Sequence, residues 1–211
     1  MRRLPVYLLL DTSGSMKGEA IESVKVGLQA MLASLRQDPF ALESVYISII
    51  TFDRDVKVLV PLTELAEFQL PSIGTPDSGP THLGQALSTL LERVQGEVIP
   101  TSDERKGDWM PLVFIMTDGS PSDLMEFRTA VPKFKRYSFG NIIACAAGPK
   151  AKEEYLKQLT DTVVSLDTTD AAVFQSFFKW VSASVSAGNR SQGTGGDSAL
   201  PPPPPEINVV L

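Results

Sequence analysis

Three oxygen-bearing side chains follow the first apolar run of the chain at alternate positions. The run Leu4–Leu10 leads into Asp11, Ser13 and Ser15, where a buried strand would end. In an extended or gently turning segment, positions i, i+2 and i+4 project to the same side, so these oxygens can converge on one point. Hard oxygen ligands of this kind suit a magnesium-like cation. The same residue types favour turns and helix N-caps, so this segment alone leaves a simple capped turn as an open alternative.

Two later loops offer further oxygen ligands. The apolar run Leu112–Met116 leads into a loop that contains Asp118, followed by glycine and serine. Between the two strand candidates, Thr81 provides one hydroxyl directly before an amphipathic helix. Three separated loops therefore supply the candidate ligands, which are Asp11, Ser13, Ser15, Thr81 and Asp118.

Strand and helix patterns alternate along the chain. Helical spacing of apolar residues appears at 21–35, 83–94 and 173–185, and strand patterns appear at 45–52, 56–60, 141–147 and 163–166. The alternation predicts an α/β fold with a doubly wound, mostly parallel sheet, one antiparallel edge strand and helices on both faces. In such sheets, ligands bind beyond the carboxyl ends of the strands, where the strand order reverses. If the first strand lies beside the strand that ends at Met116, Asp11 and Asp118 face each other there.

This ligand set resembles the metal-ion-dependent adhesion site of von Willebrand factor A domains, and every position of that family pattern is filled. The resemblance extends over about residues 4–187. Within the family, the Thr-Asp-Gly-Ser-Pro loop and the short body are most similar to the bacterial TerY proteins of tellurite-resistance systems. The resemblance implies a Rossmann-like fold and a divalent cation at the five residues. Magnesium is expected first, with manganese or calcium as alternatives.

The resemblance also implies a partner. In the family, a carboxylate from a partner protein typically completes the coordination of the metal, so we expect a partner Asp or Glu here. TerY relatives accompany a protein kinase and a phosphatase, which implies a scaffold in a bacterial stress response. The loops at 72–81, 103–108 and 120–123 are expected to form the rim that selects the partner. Asp123 is expected to start its own helix and not to bind metal.

Composition excludes several function classes. The 211 residues include 19 basic and 25 acidic ones, for a net charge of -6, and no long basic cluster occurs, so nucleic-acid binding through phosphate neutralisation is not expected. No stretch approaches the ~20 apolar residues of a membrane helix. The short apolar run after Met1 ends at a carboxylate without a cleavage site, so we predict a cytoplasmic protein. Cys145 is the only cysteine and lies in an apolar run, which predicts neither a disulfide nor a zinc-type site.

The last part of the chain has a different composition. We predict a domain over residues 1–187 and a tail over 188–211, in which 189–198 is a linker rich in Gly and Ser and Pro201–Pro205 favours polyproline II. The tail is expected to be dispensable for folding. Residues 207–211 can dock as an added strand or short peptide, but composition favours a tail without fixed structure.

An enzymatic reading is the main alternative. Phosphatases of the haloacid-dehalogenase type also place an aspartate after the first strand, and Asp11 would then be the nucleophile. They need a second acid two residues later, where this chain has Ser13, so we predict a binding protein and no enzyme. His82 adjoins Thr81 and is interpreted as a helix-start residue, because no serine nucleophile with an orienting acid accompanies it.

Overall fold

The computed structural model describes residues 2–148, 151–167, 170–191 and 200–210, with the backbone alone for 188–191. The strands are β1 (Leu4–Asp11), β2 (Val45–Phe52), β3 (Val56–Glu64), β4 (Leu112–Thr117), β5 (Asn141–Ala147), β6 (Val163–Leu166) and β7 (Asn208–Val210). The helices are α1 (Glu19–Leu35), α2 (Pro39–Ser44), α3 (Leu83–Glu97), α4 (Leu124–Arg136), α5 (Glu153–Leu156) and α6 (Ala171–Ser191). Among the described residues, no helix is both long and apolar enough to cross a membrane.

One seven-stranded sheet organises the chain, with the order β3-β2-β1-β4-β5-β6-β7. Strands β1, β2, β4, β5 and β6 run parallel, whereas β3 and β7 pair antiparallel at the two edges. The chain moves outwards from β1 through β2 and β3, and then returns to the other side of β1 as β4. The strand order therefore reverses between β1 and β4, so the arrangement that the sequence analysis considered, with the first strand beside the run Leu112–Met116, is the observed one. The α/β fold class is confirmed, and β7 adds a second antiparallel edge strand to the one that was predicted.

Burial on both faces explains why the first strand is continuously apolar. Leu8 and Leu10 belong to the core on the side of α1 and α6, and Tyr7 and Leu9 belong to the core on the side of α3 and α4. Because successive side chains of a strand point to opposite faces, a strand covered on both sides needs apolar residues at every position. All eight residues of β1 are buried, including Asp11 at its end.

The tail differs from the structure that its composition favours. Residues 208–210 pair with β6, so the docked strand, which was the less favoured interpretation, is the observed one. Ile207 is 4% exposed and joins the core cluster on the side of α1 and α6, while the Trp180 indole nitrogen donates a hydrogen bond to the Pro201 carbonyl at 2.8 Å. Helix α6 continues past residue 187 to Ser191. The linker predicted at 189–198 lies mostly outside the described residues, and the division at 187/188 stays a prediction.

Candidate metal site

The candidate residues meet at the carboxyl end of the sheet, which is the end where the parallel strands stop. Asp11 is the last residue of β1, and Asp118 directly follows β4, its neighbour. Because helices cover both faces of a parallel sheet, the crevice at this strand reversal is the place where side chains from several loops can face one another. Asp11 and Asp118 therefore lie on adjacent strand ends, which is the arrangement expected if the two strands are neighbours.

The loop after β1 turns tightly and is held by the carboxylate of Asp11. The Ser13 amide donates to Asp11 Oδ1 at 2.8 Å, and the following residues 14–16 form a short 3-10 turn. Gly14 packs against the backbone of Ser78, and a Cβ atom on Gly14 would lie 2.5 Å from Ser78 Cα. Only glycine therefore allows the segment around Ser78 to lie this close to the turn.

A chain of oxygen contacts connects the first and third loops. Ser13 Oγ and Ser15 Oγ are 3.1 Å apart, and Ser15 Oγ donates to Asp118 Oδ1 at 2.8 Å. Asp11 and Ser13 are each 1% exposed, whereas Ser15 is exposed and Asp118 is partly exposed. The carboxylate of Asp11 therefore lies at the bottom of the site, and the oxygens of Ser15 and Asp118 lie towards solvent.

Thr81 completes the group from the side of α3. It is 7% exposed, and its Oγ1 lies 3.5 Å from the position that a Cβ atom on Gly119 would occupy, next to Asp118. The Thr81 amide donates to Ser122 Oγ at 3.0 Å, and the Ser122 amide donates to the Thr81 carbonyl at 2.8 Å. This pair of bonds fastens the Thr81 loop to the loop that carries Asp118, so all three predicted loops converge.

Thr117 is a supporting residue that the sequence interpretation missed. Its hydroxyl donates to Asp11 Oδ2 at 2.5 Å and accepts from the Gly119 amide at 3.2 Å. The paired register of β1 and β4 ends at Leu10 and Met116, so one further step places Asp11 beside Thr117. The contact follows once β1 and β4 are known to be neighbours, which the sequence alone did not establish.

Burial also changes the acidity of the site. Removal from water raises the pKa of the Asp11 carboxyl to about 6; hydrogen bonds from Ser13 and Thr117 offset part of the rise, and the charge of Asp118 adds to it. A divalent cation would supply the opposite charge that this buried carboxylate lacks. The described residues contain no cluster of three or more His, Cys, Asp or Glu side chains that could hold a metal ion. The candidate site therefore depends on its hydroxyl groups.

The donor set and its spacing fit a small octahedral cation. Two carboxylates and three hydroxyls are hard oxygen donors, as magnesium and manganese require. At metal–oxygen distances of about 2.1 Å, neighbouring oxygens of an octahedron lie about 3.0 Å apart. The Ser13–Ser15 and Ser15–Asp118 oxygen distances of 3.1 and 2.8 Å are close to that value. These oxygens can therefore replace their mutual hydrogen bonds with bonds to a cation, and little movement is needed.

Two aspartates support the site loops in ways that the sequence did not reveal. Asp53, in the β2–β3 turn, accepts from Thr12 Oγ1 at 2.9 Å, and its carbonyl accepts from the His82 amide at 3.0 Å. Asp123 stands before α4 as predicted, but its carboxylate caps a different helix. It accepts from the amides of Gly84 and Gln85 in the first turn of α3, at 3.1 and 2.8 Å. His82 stands at the N-cap of α3, so its position at the helix start is confirmed.

The predicted position of one rim loop is wrong. The Trp109 amide donates to the carbonyl of Arg3, which precedes β1, and Arg3 pairs with Asp108. The loop 103–108 therefore lies at the amino end of the sheet, where the parallel strands begin, and not at the candidate site. The reason is topological: a loop that leads into a parallel strand lies at the end opposite to the loop that follows it.

A polar cleft adjoins the site on the side of the β2–β3 turn. It has a volume of about 530 Å³ and shares Thr12 and Ser78 with the loops that frame the candidate ligands. Residues 53–55 and 72–76 form most of its wall. The exposed side chains of Lys17 and Asp77 form an ion pair that joins the β1 loop to this wall. The segment 72–81 therefore does lie at the rim, as predicted.

Comparison with known proteins defines the class. The model of the von Willebrand factor type A domain family matches residues 6–179, so this chain belongs to that family. No curated protein matches the chain.

Solved structures share the fold at low sequence identity. Proximal thread matrix protein 1 from the mussel byssus has a TM-score of 0.62 at 18% identity, over 88% of this chain and 47% of that one. Another structure of that protein has a zinc-occupied MIDAS motif. A von Willebrand factor type A protein from Catenulispora acidiphila has a TM-score of 0.63 at 16% identity, over 88% and 43%. The pilus adhesin SpaC from Lactobacillus rhamnosus GG has a TM-score of 0.64 at 13% identity, over 89% and 30%. This chain spans less than half the length of each.

Proposed function

We propose that this protein is a divalent-cation-dependent protein-interaction module and not an enzyme. The observation that carries the proposal is the convergence of three loops. Ser13 and Ser15, 3.1 Å apart in the first loop, reach the third loop through the 2.8 Å contact of Ser15 with Asp118. The Thr81 loop joins the third loop through the 3.0 Å bond of the Thr81 amide to Ser122. Asp11 lies beneath them and is 1% exposed. One of its oxygens accepts from the Ser13 amide and the other from the Thr117 hydroxyl, which leaves each oxygen a further lone pair for a small cation. A nucleophilic aspartate needs an accessible oxygen, so this arrangement favours binding over the phosphatase alternative.

The charge balance of the site indicates what the partner must supply. When bound, the cation provides an electrophilic centre, and magnesium is our first choice, with manganese, calcium or zinc as alternatives. Asp11 and Asp118 together balance a double positive charge, while Ser13, Ser15 and Thr81 contribute uncharged oxygens. Five protein oxygens leave a sixth position of a magnesium-like octahedron for another ligand. A carboxylate from an Asp or Glu of a partner protein suits that position, because it is a hard anionic oxygen donor.

The partner would be selected by the surfaces around the cation. The segment 72–81 and the neighbouring polar cleft border the site on one side, and residues 120–123 border it on the other. We further propose a cytoplasmic scaffold in a bacterial tellurite-resistance or stress-response system, in association with a protein kinase or phosphatase. Support for this setting comes from the similarity of the Thr-Asp-Gly-Ser-Pro loop and the short body to TerY proteins.

Calorimetric titration of EDTA-treated protein with magnesium, manganese, calcium and zinc tests the metal site. We expect 1:1 binding of at least one ion to the full chain, and loss of that binding on Asp118→Asn. The matched control is Asp103→Asn, the same chemical change in an exposed residue at the amino end of the sheet. Equal affinities in the wild type and both variants would contradict the site.

Capture of partners in magnesium and in EDTA tests the bridging role. Partners that need the cation should be lost in EDTA and on Asp118→Asn, but retained on Asp103→Asn. A turnover assay on phosphomonoesters tests the enzymatic alternative. Turnover by the wild type that disappears on Asp11→Asn would contradict the proposed binding function and identify the protein as a hydrolase.

A further inference from the structure

A second charged pocket lies at the amino end of the sheet, away from the candidate metal site. Its volume is about 320 Å³, and the charged residues that line it are Arg2, Arg3, Arg105, Lys106 and Asp108. The length of β1 separates the two sites by roughly 25 Å, at about 3.3 Å per residue. Four cationic side chains and one carboxylate line this pocket, although the whole chain has a net charge of -6. Such a local reversal of charge marks an anion-binding surface.

The single carboxylate of the pocket is already committed. Asp108 accepts two hydrogen bonds from the Arg3 guanidinium, at 2.9 and 2.6 Å, and a third from the Ile99 amide at 2.8 Å. Its side chain is 4% exposed in this ion pair. Asp108 therefore neutralises Arg3, and the charges of Arg2, Arg105 and Lys106 remain. Within the described part of the chain, none of these three cations forms an ion pair.

Arg2 is held in place before any ligand arrives. Its guanidinium stacks over the Trp109 ring, 3.6 Å from the ring centroid. Its Nε donates to the Gly107 carbonyl at 2.7 Å, and one terminal nitrogen donates to the Asp108 carbonyl at 3.0 Å. A guanidinium has five N–H donors, so three remain for a ligand. Because the side chain is already ordered, binding to it costs less conformational entropy than binding to a free arginine.

The loop that carries Arg105 and Lys106 is also fixed at its base. The Asp108 amide donates to the Ile99 carbonyl at 2.8 Å, and the Gly107 amide donates to Thr101 Oγ1 at 3.0 Å. A Cβ atom on Gly107 would collide with the backbone of residues 99–101, so the loop closes on itself only with glycine there. The same loop contains Asp103 and Glu104, which do not line the pocket. The basic side chains are thus the ones that the closed loop presents to the pocket.

We infer that this pocket binds a phosphorylated serine or threonine side chain of a partner protein. A phosphomonoester carries a charge close to -2 and three strong acceptor oxygens, which the donors of Arg2, Arg105 and Lys106 match. Planar guanidinium groups bind phosphate oxygens in pairs, and arginine clusters are a recurrent mode of phosphopeptide recognition. A nucleic acid would need a longer basic track than these three side chains provide. The inference is independent of the proposed cation site and adds a second partner contact at the opposite end of the sheet.

Indole NMR signals of the full chain test the inference directly. The two tryptophans report on different places. Trp109 stacks with Arg2, whereas Trp180, on α6, donates a hydrogen bond to the Pro201 carbonyl. Titration with N-acetyl-phosphoserine amide in EDTA should shift the Trp109 indole signal, with saturation at millimolar concentration, and leave that of Trp180 in place. The unphosphorylated serine amide should shift neither. An unmoved Trp109 signal, or equal shifts of both signals, would overturn the site.

Substitutions distinguish binding at this pocket from a general effect of basic charge. Arg105→Ala with Lys106→Ala should weaken phosphoserine binding at least tenfold. The control Lys133→Ala with Arg136→Ala removes the same charge from a groove on α3 and α4 and should change binding less than twofold. Arg2→Lys keeps the charge but loses the planar fork, and should weaken binding severalfold. Because the variant also loses the bonds to the Gly107 and Asp108 carbonyls, its binding is measured well below its own melting temperature. Equal losses of affinity in the two double variants would mean that net charge alone explains the binding, and would overturn the site. Tighter binding of AMP than of phosphoserine would overturn the phosphopeptide assignment.

Discussion

Asp11→Asn should stabilise the metal-free protein at neutral pH, although it removes a candidate metal ligand. The folded-state pKa of Asp11 is about 6, against an ordinary value of 3.8. An acid with a raised folded-state pKa favours the folded state when it is protonated. Its contribution to stability is thus most favourable below about pH 4, is lost as the pH rises through 6, and is constant above that. Asparagine imitates the protonated carboxyl at every pH.

The size of the effect follows from the pKa shift. A rise of about two pKa units corresponds to about 3 kcal/mol above pH 6, since each unit is worth about 1.4 kcal/mol. Asparagine can still accept from the Ser13 amide, and the hydrogen bond that the charged carboxylate accepts from Thr117 is already included in the pKa of about 6. The gain of about 3 kcal/mol should raise the melting temperature by roughly 6–12 °C for a chain of this length.

Calorimetric melting in EDTA between pH 4 and pH 8 measures this effect, with Asp103→Asn as the exposed control. The advantage of Asp11→Asn should be several degrees at pH 7.5 and should vanish near pH 4. Magnesium at a hundred times its Kd should then stabilise the wild type by about 2.7 kcal/mol and the variant by little. A variant that melts at or below the wild type in EDTA at pH 7.5, or a difference that does not depend on pH, would refute the electrostatic argument for this site.

Three further substitutions test the surroundings of the site and the tail. Thr81→Ala should weaken partner capture at least tenfold, whereas His82→Ala should leave metal and partner affinities within twofold; a tenfold loss on His82→Ala would give the histidine a direct role. Gly14→Ala should weaken metal binding and lower the melting temperature by several degrees, because the added Cβ displaces Ser78; unchanged values would mean that the contact with Ser78 is not needed. Ile207→Asp should lower the melting temperature by at least 5 °C, because it places an unpaired charge at a position that is 4% exposed, while Val209→Asp, at 45% exposure, should change it by less than 2 °C. Changes of less than 2 °C in both of these variants would restore the original expectation that the tail is dispensable.

The two ends of the sheet suggest a division of roles. The carboxyl end gathers oxygen donors that would attract a cation and, through it, a carboxylate. The amino end gathers guanidinium and ammonium groups that would attract a phosphate. Both ends are connected by β1, whose eight residues are all buried. A rigid strand between two partner sites would hold two bound segments at a fixed separation, which is the property that a scaffold requires.

The alternation of apolar strands and amphipathic helices was enough to predict the fold class. Each element buries its apolar face locally, and parallel strands joined by helices have few possible arrangements. The three loops with Asp11, Ser13, Ser15, Thr81 and Asp118 were also readable, because each directly follows a strand or precedes a helix whose pattern is clear. That these loops meet follows from the topology. Whether they hold a cation stays a prediction.

Contacts between distant segments were decided only by the tertiary structure. The cap that Asp123 provides for α3, the bond of Thr117 to Asp11 and the docking of Ile207 depend on packing between elements far apart in the chain. The loop at 103–108 shows the same limit, because its charges and exposure are visible in the sequence but its end of the sheet is not. Sequence patterns report which face of an element must be buried, whereas the partner that buries it is chosen when the whole core closes.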